Sequence, residues 1–147
     1  MTLGNDRMAT KKRILIICPD GSSTQVIQEA TKNWPVLETI VCSSVRESRS
    51  HLIDSDIHLI FCQSCLLDGG YSDLLELLKE LTRDVPVILV VPDEDREFEH
   101  RGAWGQGVFD IVASPCARRD VQWVIIRAMQ HLKARETILR TKTSYAS

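Results

Sequence analysis

Hydrophobic residues along the chain fall into five short runs separated by amphipathic segments. The runs are rich in β-branched residues and are mostly apolar throughout, rather than at alternate positions. This pattern is typical of strands that are buried on both faces of a parallel sheet. The predicted strands are residues 13–18, 36–45, 56–61, 85–91 and 108–113.

The segments between and after these runs have the spacing of amphipathic helices. We predict helices at residues 22–33, 47–53, 72–81, from the acidic stretch at 93–99 to about 104, and 120–143. Ser22 or Ser23 is predicted to cap the first helix, and Ser72 the third. Alternating strands and helices predict a doubly wound α/β domain with a five-stranded parallel sheet. Ligands in such domains collect at the carboxyl ends of the strands.

Length, composition and charge disfavour several classes of function for this chain. The 147 residues are 44% hydrophobic and 26% charged, which is the balance of one globular domain. The net charge of −2 disfavours nucleic-acid binding, and the apolar runs are shorter than the roughly 20 residues of a membrane span. A leader without an apolar core favours a cytoplasmic location. We expect a flexible leader at 1–11, a domain at 12–134 and a helical extension or tail at 135–147.

Two motifs carry a resemblance to a known family. Residues 107–115 (GVFDIVASP), followed by Asp120, resemble the end of the fifth strand and the start of the last helix in response-regulator receiver domains. Residues 56–69, which end in the Asp68-Gly69 pair, resemble the family's third strand and the loop after it. The resemblance covers about residues 12–135. It implies a flavodoxin-like topology, a cis bond between Ser114 and Pro115, and a role in two-component signalling.

The resemblance also implies where receiver chemistry would lie. Receivers hold Mg²⁺ with two acidic residues after the first strand, and these positions fall on Cys18 and Pro19, beside Asp20. The aspartate that accepts phosphate falls on Phe61, or on Cys62 if the strand is shifted by one residue. Neither residue can replace that aspartate, and one remaining carboxylate is a poor Mg²⁺ site.

Three further positions of the family are also replaced. The hydroxyl residue after the fourth strand falls on Val91, the lysine after the fifth strand on Ser114, and the switch aromatic on Ile111. The resemblance therefore implies a degenerate receiver that has no phosphoacceptor, metal or cofactor and is not an enzyme. Its role would be protein–protein interaction, for example as the regulatory N-terminal domain of a transcriptional regulator.

Two alternative functions rest on cysteines. Residues 12–24 also resemble the phosphocysteine loop of sugar phosphotransferase-system B domains, in which Cys18 would carry the phosphate beside a helix N-terminus. Cys62 and Cys65 have the CxxC spacing of a thiol redox sensor. The four histidines show no ligand spacing, and we interpret them as structural or surface residues.

The last predicted helix continues beyond the end of the domain. Ile138 and Leu139 keep its apolar pattern among basic residues. We therefore expect a protein partner or a homodimer to bind through the surface of strand five and this C-terminal helix. Neither a nucleic acid nor a membrane is an expected partner of this domain.

Overall fold

The structure is a computed structural model that describes residues 11–66, 68–95 and 105–146. The strands are β1 (Lys12–Ile17), β2 (Leu37–Cys42), β3 (Ile57–Gln63), β4 (Cys65–Leu66), β5 (Gly69–Gly70), β6 (Val87–Pro92) and β7 (Asp110–Ser114). The helices are α1 (Gly21–Thr31), α2 (Val45–Asp54), α3 (Tyr71–Glu80) and α4 (Arg118–Ala146), and Asp93–Asp95 forms a 3₁₀ turn.

The main sheet has five parallel strands in the order β2-β1-β3-β6-β7. This arrangement confirms the predicted doubly wound α/β domain with flavodoxin-like topology. β1 lies in the interior of the sheet, where Ile17 pairs with Cys42 on one side and with Cys62 on the other. The segment after β3, predicted to be a loop, contains the short antiparallel hairpin of β4 and β5.

Two hydrophobic layers enclose the sheet. Leu15 and Ile17 of β1 pack with residues of α2 and α3 on one face, whereas Ile14 and Ile16 pack with α1 and α4 on the other. All four side chains are fully buried. This burial explains why residues 14–17 of β1 are all apolar, since each such side chain contributes about 1.5–3 kcal/mol.

Helix capping differs from the sequence prediction. α1 is capped by Asp20 rather than by Ser22 or Ser23, and an Asp20 carboxylate oxygen accepts the Ser22 backbone N–H at 3.1 Å. α3 begins one residue before Ser72, and the Asp73 carboxylate accepts the Gly70 backbone N–H at 2.9 Å. Carboxylates are favoured at both places because their negative charge faces the positive end of the helix dipole.

Several element boundaries also differ. β2 ends at Cys42, three residues earlier than predicted, because Ser44 caps α2 by accepting the Glu47 backbone N–H. α4 starts at Arg118 and continues to Ala146. The predicted leader up to residue 10 and most of the helix predicted before residue 104 lie outside the described residues. The Ser114–Pro115 bond is cis, as the family resemblance implies.

None of the described helices has a stretch that is both long and apolar enough to cross a bilayer.

Candidate functional site at the carboxyl edge of the sheet

The candidate site lies where the main parallel strands end at one edge of the sheet. Cys18 follows β1, and Cys62 lies near the end of β3, where it pairs with Leu89 of β6. Val91 pairs with Ala113, one residue before Ser114. The sheet therefore brings the predicted positions of the first, third, fourth and fifth strands to the same edge.

The end of β1 contributes a buried thiol and a helix cap. Cys18 is 4% exposed, and Pro19 is exposed beside it. The same Asp20 carboxylate oxygen that caps α1 also accepts the Ser22 hydroxyl at 2.9 Å. The one carboxylate beside the positions that the resemblance assigns to Mg²⁺ binding thus stabilises the start of α1.

The end of β3, to which the family resemblance assigns the phosphoacceptor position, is apolar. Phe61 is fully buried with residues of α1 and α4, and Cys62 is fully buried in the opposite layer. Gln63, which the sequence analysis did not select, accepts the Asp20 backbone N–H at 3.1 Å through its side-chain oxygen. No motif pointed to Gln63, because its partner is 43 residues away in the chain.

The ends of β6 and β7 contribute an aliphatic residue and a group of small polar side chains. Val91 is fully buried. The Ser114 hydroxyl lies 3.3 Å from that of Ser23, and the Cys116 thiol donates to the Ser23 hydroxyl at 3.9 Å. Ser23 is buried in α1, so its hydroxyl links the first helix to the end of β7 rather than capping the helix.

The switch position lies away from this polar group. Ile111 is buried in the layer that contains α2 and α3. The side chain that the family resemblance assigns to the switch position is therefore part of the core.

The electrostatics of this edge disfavour thiolate chemistry. Burial raises the pKa of the Cys18 thiol to about 12, and nearby Cys116 and Asp20 add to this effect. Burial also raises the pKa of Cys62 well above that of an ordinary thiol. Nucleophilic and redox-active cysteines need the opposite shift, because the thiolate is the reactive form.

Within residues 11–66, 68–95 and 105–146, no group of three or more histidine, cysteine, aspartate or glutamate side chains is arranged to hold a metal ion.

Comparisons with known proteins identify the fold. No family model and no curated protein matches the chain. The signal receiver domain of a putative Luxo repressor protein from Vibrio parahaemolyticus aligns with a TM-score of 0.78 and 15% identity, over 87% of this chain and 97% of that one.

Two further solved structures agree with that match. The N-terminal signal receiver domain of a two-component response regulator from Bacteroides fragilis has a TM-score of 0.69 and 20% identity, over 80% of this chain and 96% of that one. A CheY-like receiver domain protein from Methanospirillum hungatei has a TM-score of 0.70 and 19% identity, over 85% and 98%. This chain has the fold of response-regulator receiver domains.

Proposed function

We propose that this chain is a receiver-like signalling domain that has lost aspartyl-phosphate chemistry and acts through protein contacts. The proposal places it in a cytoplasmic two-component or related signalling system. The observation that carries it is the burial of Phe61. The family resemblance assigns the phosphoacceptor position to Phe61, or to Cys62 one residue later, and both side chains are fully enclosed in the hydrophobic core.

The surrounding positions support the same conclusion. Phosphoryl transfer needs an accessible nucleophile and cationic groups that stabilise the charge on the phosphoryl oxygens. Ser114 replaces the family's lysine, and Val91 replaces its hydroxyl residue. Asp20 offers one carboxylate, which already caps α1, whereas Mg²⁺ prefers several oxygen ligands.

An NMR titration with Mg²⁺ and beryllofluoride tests the loss of phosphorylation, because beryllofluoride mimics the phosphoryl group. We expect no saturable shifts at Cys18, Phe61, Val91 or Ser114. The control variant is Asp20→Asn, which keeps a capping side chain and removes the carboxylate. Saturable shifts that converge on the edge in the wild type and vanish in this variant would overturn the proposal.

The exposed apolar residues of α4 support a role in protein contacts. Trp123, Ile138 and Leu139 are 54%, 55% and 58% exposed. Such side chains on a long helix are typical of surfaces that bind a partner or a second copy. We assign the interaction to α4 and the neighbouring surface of β7.

The interaction is tested with charge substitutions on α4. We expect the double variant Ile138→Glu/Leu139→Glu to lose self-association in sedimentation experiments over a range of concentrations. The matched control is Ile53→Glu on α2, because Ile53 is 56% exposed. Equal loss in the control, or a wild type that stays monomeric at every concentration, would contradict self-association through α4.

The two cysteine-based alternatives predict different covalent products. A phosphocysteine carrier would show a phosphate on Cys18, and a thiol sensor would lose two hydrogens under mild oxidant. The raised pKa values of Cys18 and Cys62 weigh against both. Mass spectrometry of the intact protein distinguishes the two products from an unmodified chain.

A further inference from the structure

A histidine side chain replaces a backbone acceptor between β1 and β3. The register of these strands shifts, so that Arg13 pairs with Ile57 but Ile14 pairs with Leu59. His58 is therefore an extra residue in β3. The Arg13 backbone N–H donates to the Nδ1 atom of His58 at 3.1 Å. At the start of the β1–β3 pairing, the acceptor of the Arg13 N–H is thus an imidazole nitrogen.

This hydrogen bond fixes the protonation state of the ring. Nδ1 can accept a hydrogen bond only while it carries no proton, so the neutral ring carries its proton on Nε2. Nε2 lies 3.5 Å from a carboxylate oxygen of Asp56. Burial lowers the pKa of His58, and the cations Lys12 and Arg13 act in the same direction. Asp56 and Glu136 oppose them.

The same region anchors the outer part of α4. The Lys12 ammonium group lies 3.4 Å from the Glu136 carboxylate, which connects the start of β1 to α4. One residue earlier on α4, Arg135 pairs with the Asp84 carboxylate at 2.9 Å and donates to its carbonyl at 3.0 Å. The charged groups around His58 therefore come from β1, from Asp56 just before β3, from α4 and from the segment between α3 and β6. In that segment Arg83 lies 3.6 Å from the Asp56 carboxylate.

We propose that His58 is a pH-dependent switch, here called the latch. In its neutral form it fixes the start of β1 and, through Lys12 and Glu136, the position of the outer part of α4. Protonation from solvent places a proton on Nδ1, directly opposite the Arg13 N–H. Two donors then face each other, and the hydrogen bond is lost. The new positive charge also lies beside Lys12 and Arg13. This device goes beyond the proposed signalling role, because it gives the domain an input that needs no phosphoryl group.

The direction of the pH effect follows from the lowered pKa. His58 takes up a proton less readily in the folded protein than in the unfolded chain. The latch therefore contributes its full stability above the pKa of an unperturbed histidine, and this contribution is lost as pH falls through the folded-state pKa. Acidification should break the hydrogen bond between Arg13 and His58 at the start of β1, and this bond should stay intact at alkaline pH.

The test follows the imidazole nitrogens and the backbone amides of the full chain by NMR, from about pH 8 to about pH 5. We expect the Arg13 amide shift to change with the same midpoint as His58. Hydrogen-exchange protection factors, which correct for the intrinsic pH dependence of exchange, should fall about fivefold at Arg13 for the loss of one hydrogen bond. Amides of α4 near Glu136 should lose protection with the same midpoint.

Three variants separate the latch from a general acid effect. His58→Gln keeps a side-chain acceptor without titrating, so the protection of Arg13 should no longer depend on pH in this range. Lys12→Gln should retain the response at Arg13 and lose the response in α4. His131→Gln, which changes an exposed histidine of α4, should keep both responses. An Arg13 amide that does not follow the His58 midpoint, or an unchanged α4 in the wild type, would overturn the proposal.

Discussion

The two ends of the parallel sheet differ in their chemistry. At the carboxyl edge, the positions compared with receivers are occupied by thiol, aliphatic, aromatic and hydroxyl side chains, and Asp20 adds one carboxylate. The amino end instead carries ion pairs that join distant elements: Lys12 with Glu136, Arg83 with Asp56, and Arg135 with Asp84. At the edge where this fold collects ligands, the positions compared with receivers thus keep one carboxylate, whereas ion pairs between distant elements lie at the opposite end.

The proposed loss of aspartyl-phosphate chemistry accounts for this difference. An active receiver keeps carboxylates at an apolar edge, where their desolvation is costly. Phe61, Cys62 and Val91 are fully buried at that edge and pack with the core instead. Two of the ion pairs at the amino end connect β1 and Asp84 to the long helix α4, which we have assigned to protein contacts. Three predictions test this contrast.

The largest effect is expected at Phe61. Replacing it with aspartate, the residue of active receivers, should destabilise the domain by more than about 4 kcal/mol, because a carboxylate would enter a closed apolar layer. Phe61→Leu should cost only about 1–2 kcal/mol. Urea denaturation measures both changes. A stable Phe61→Asp protein would show that the carboxyl edge can accommodate a phosphoacceptor carboxylate.

The reactivity of the thiols should show a smaller difference. A thiol with a pKa of about 12 is only about 10⁻⁴ thiolate at pH 8, so Cys18 should react slowly with iodoacetamide. The half-buried Cys116 should be alkylated at least about tenfold faster than Cys18 in the folded protein. Peptide mass spectrometry at successive times gives the order in which the two cysteines are alkylated. Faster labelling of Cys18 would support the phosphocysteine alternative.

The smallest effect is expected at the amino end. Arg83 donates to the Leu52 carbonyl at 2.6 Å and to the Ser55 carbonyl at 3.5 Å, and both acceptors lie at the end of α2. Arg83→Ala should therefore cost about 1–2 kcal/mol.

The matched control is Arg49→Ala, since Arg49 forms an exposed pair with Glu80 at 3.0 Å. This variant should change stability by less than about 0.5 kcal/mol. Equal losses in the two variants would remove the distinction between an anchoring network and ordinary surface charge.

Much of the fold could be predicted because its signals are local. β1 and β6 were predicted to be buried on both faces from their continuous apolar runs, and the structure buries nearly all of their aliphatic side chains. The motif at 107–115 led to the receiver fold that the comparisons support. Helix starts were less accurate, because Asp20 and Ser22 both lie within reach of the first turn of α1 and only the backbone geometry selects the cap.

The candidate site could be predicted only in outline. Strand ends follow from the hydrophobic pattern, which therefore predicts that Cys18 and Ser114 lie at one edge of the sheet. The contacts of Gln63 with Asp20 and of Ser23 with Ser114 could not be predicted, because the partners are far apart in the chain.

The amino-acid pattern is enough to predict the class of fold and the apolar core, and the family resemblance adds the expectation that the residue types of receiver phosphorylation are absent. The fold class and the core depend on composition and short-range periodicity, which each segment carries within itself. That His58, interpreted from the sequence as a structural or surface histidine, accepts the Arg13 N–H emerges only in the folded chain. The register between two strands that lie 45 residues apart creates that contact, and register is set by the packing of the whole sheet.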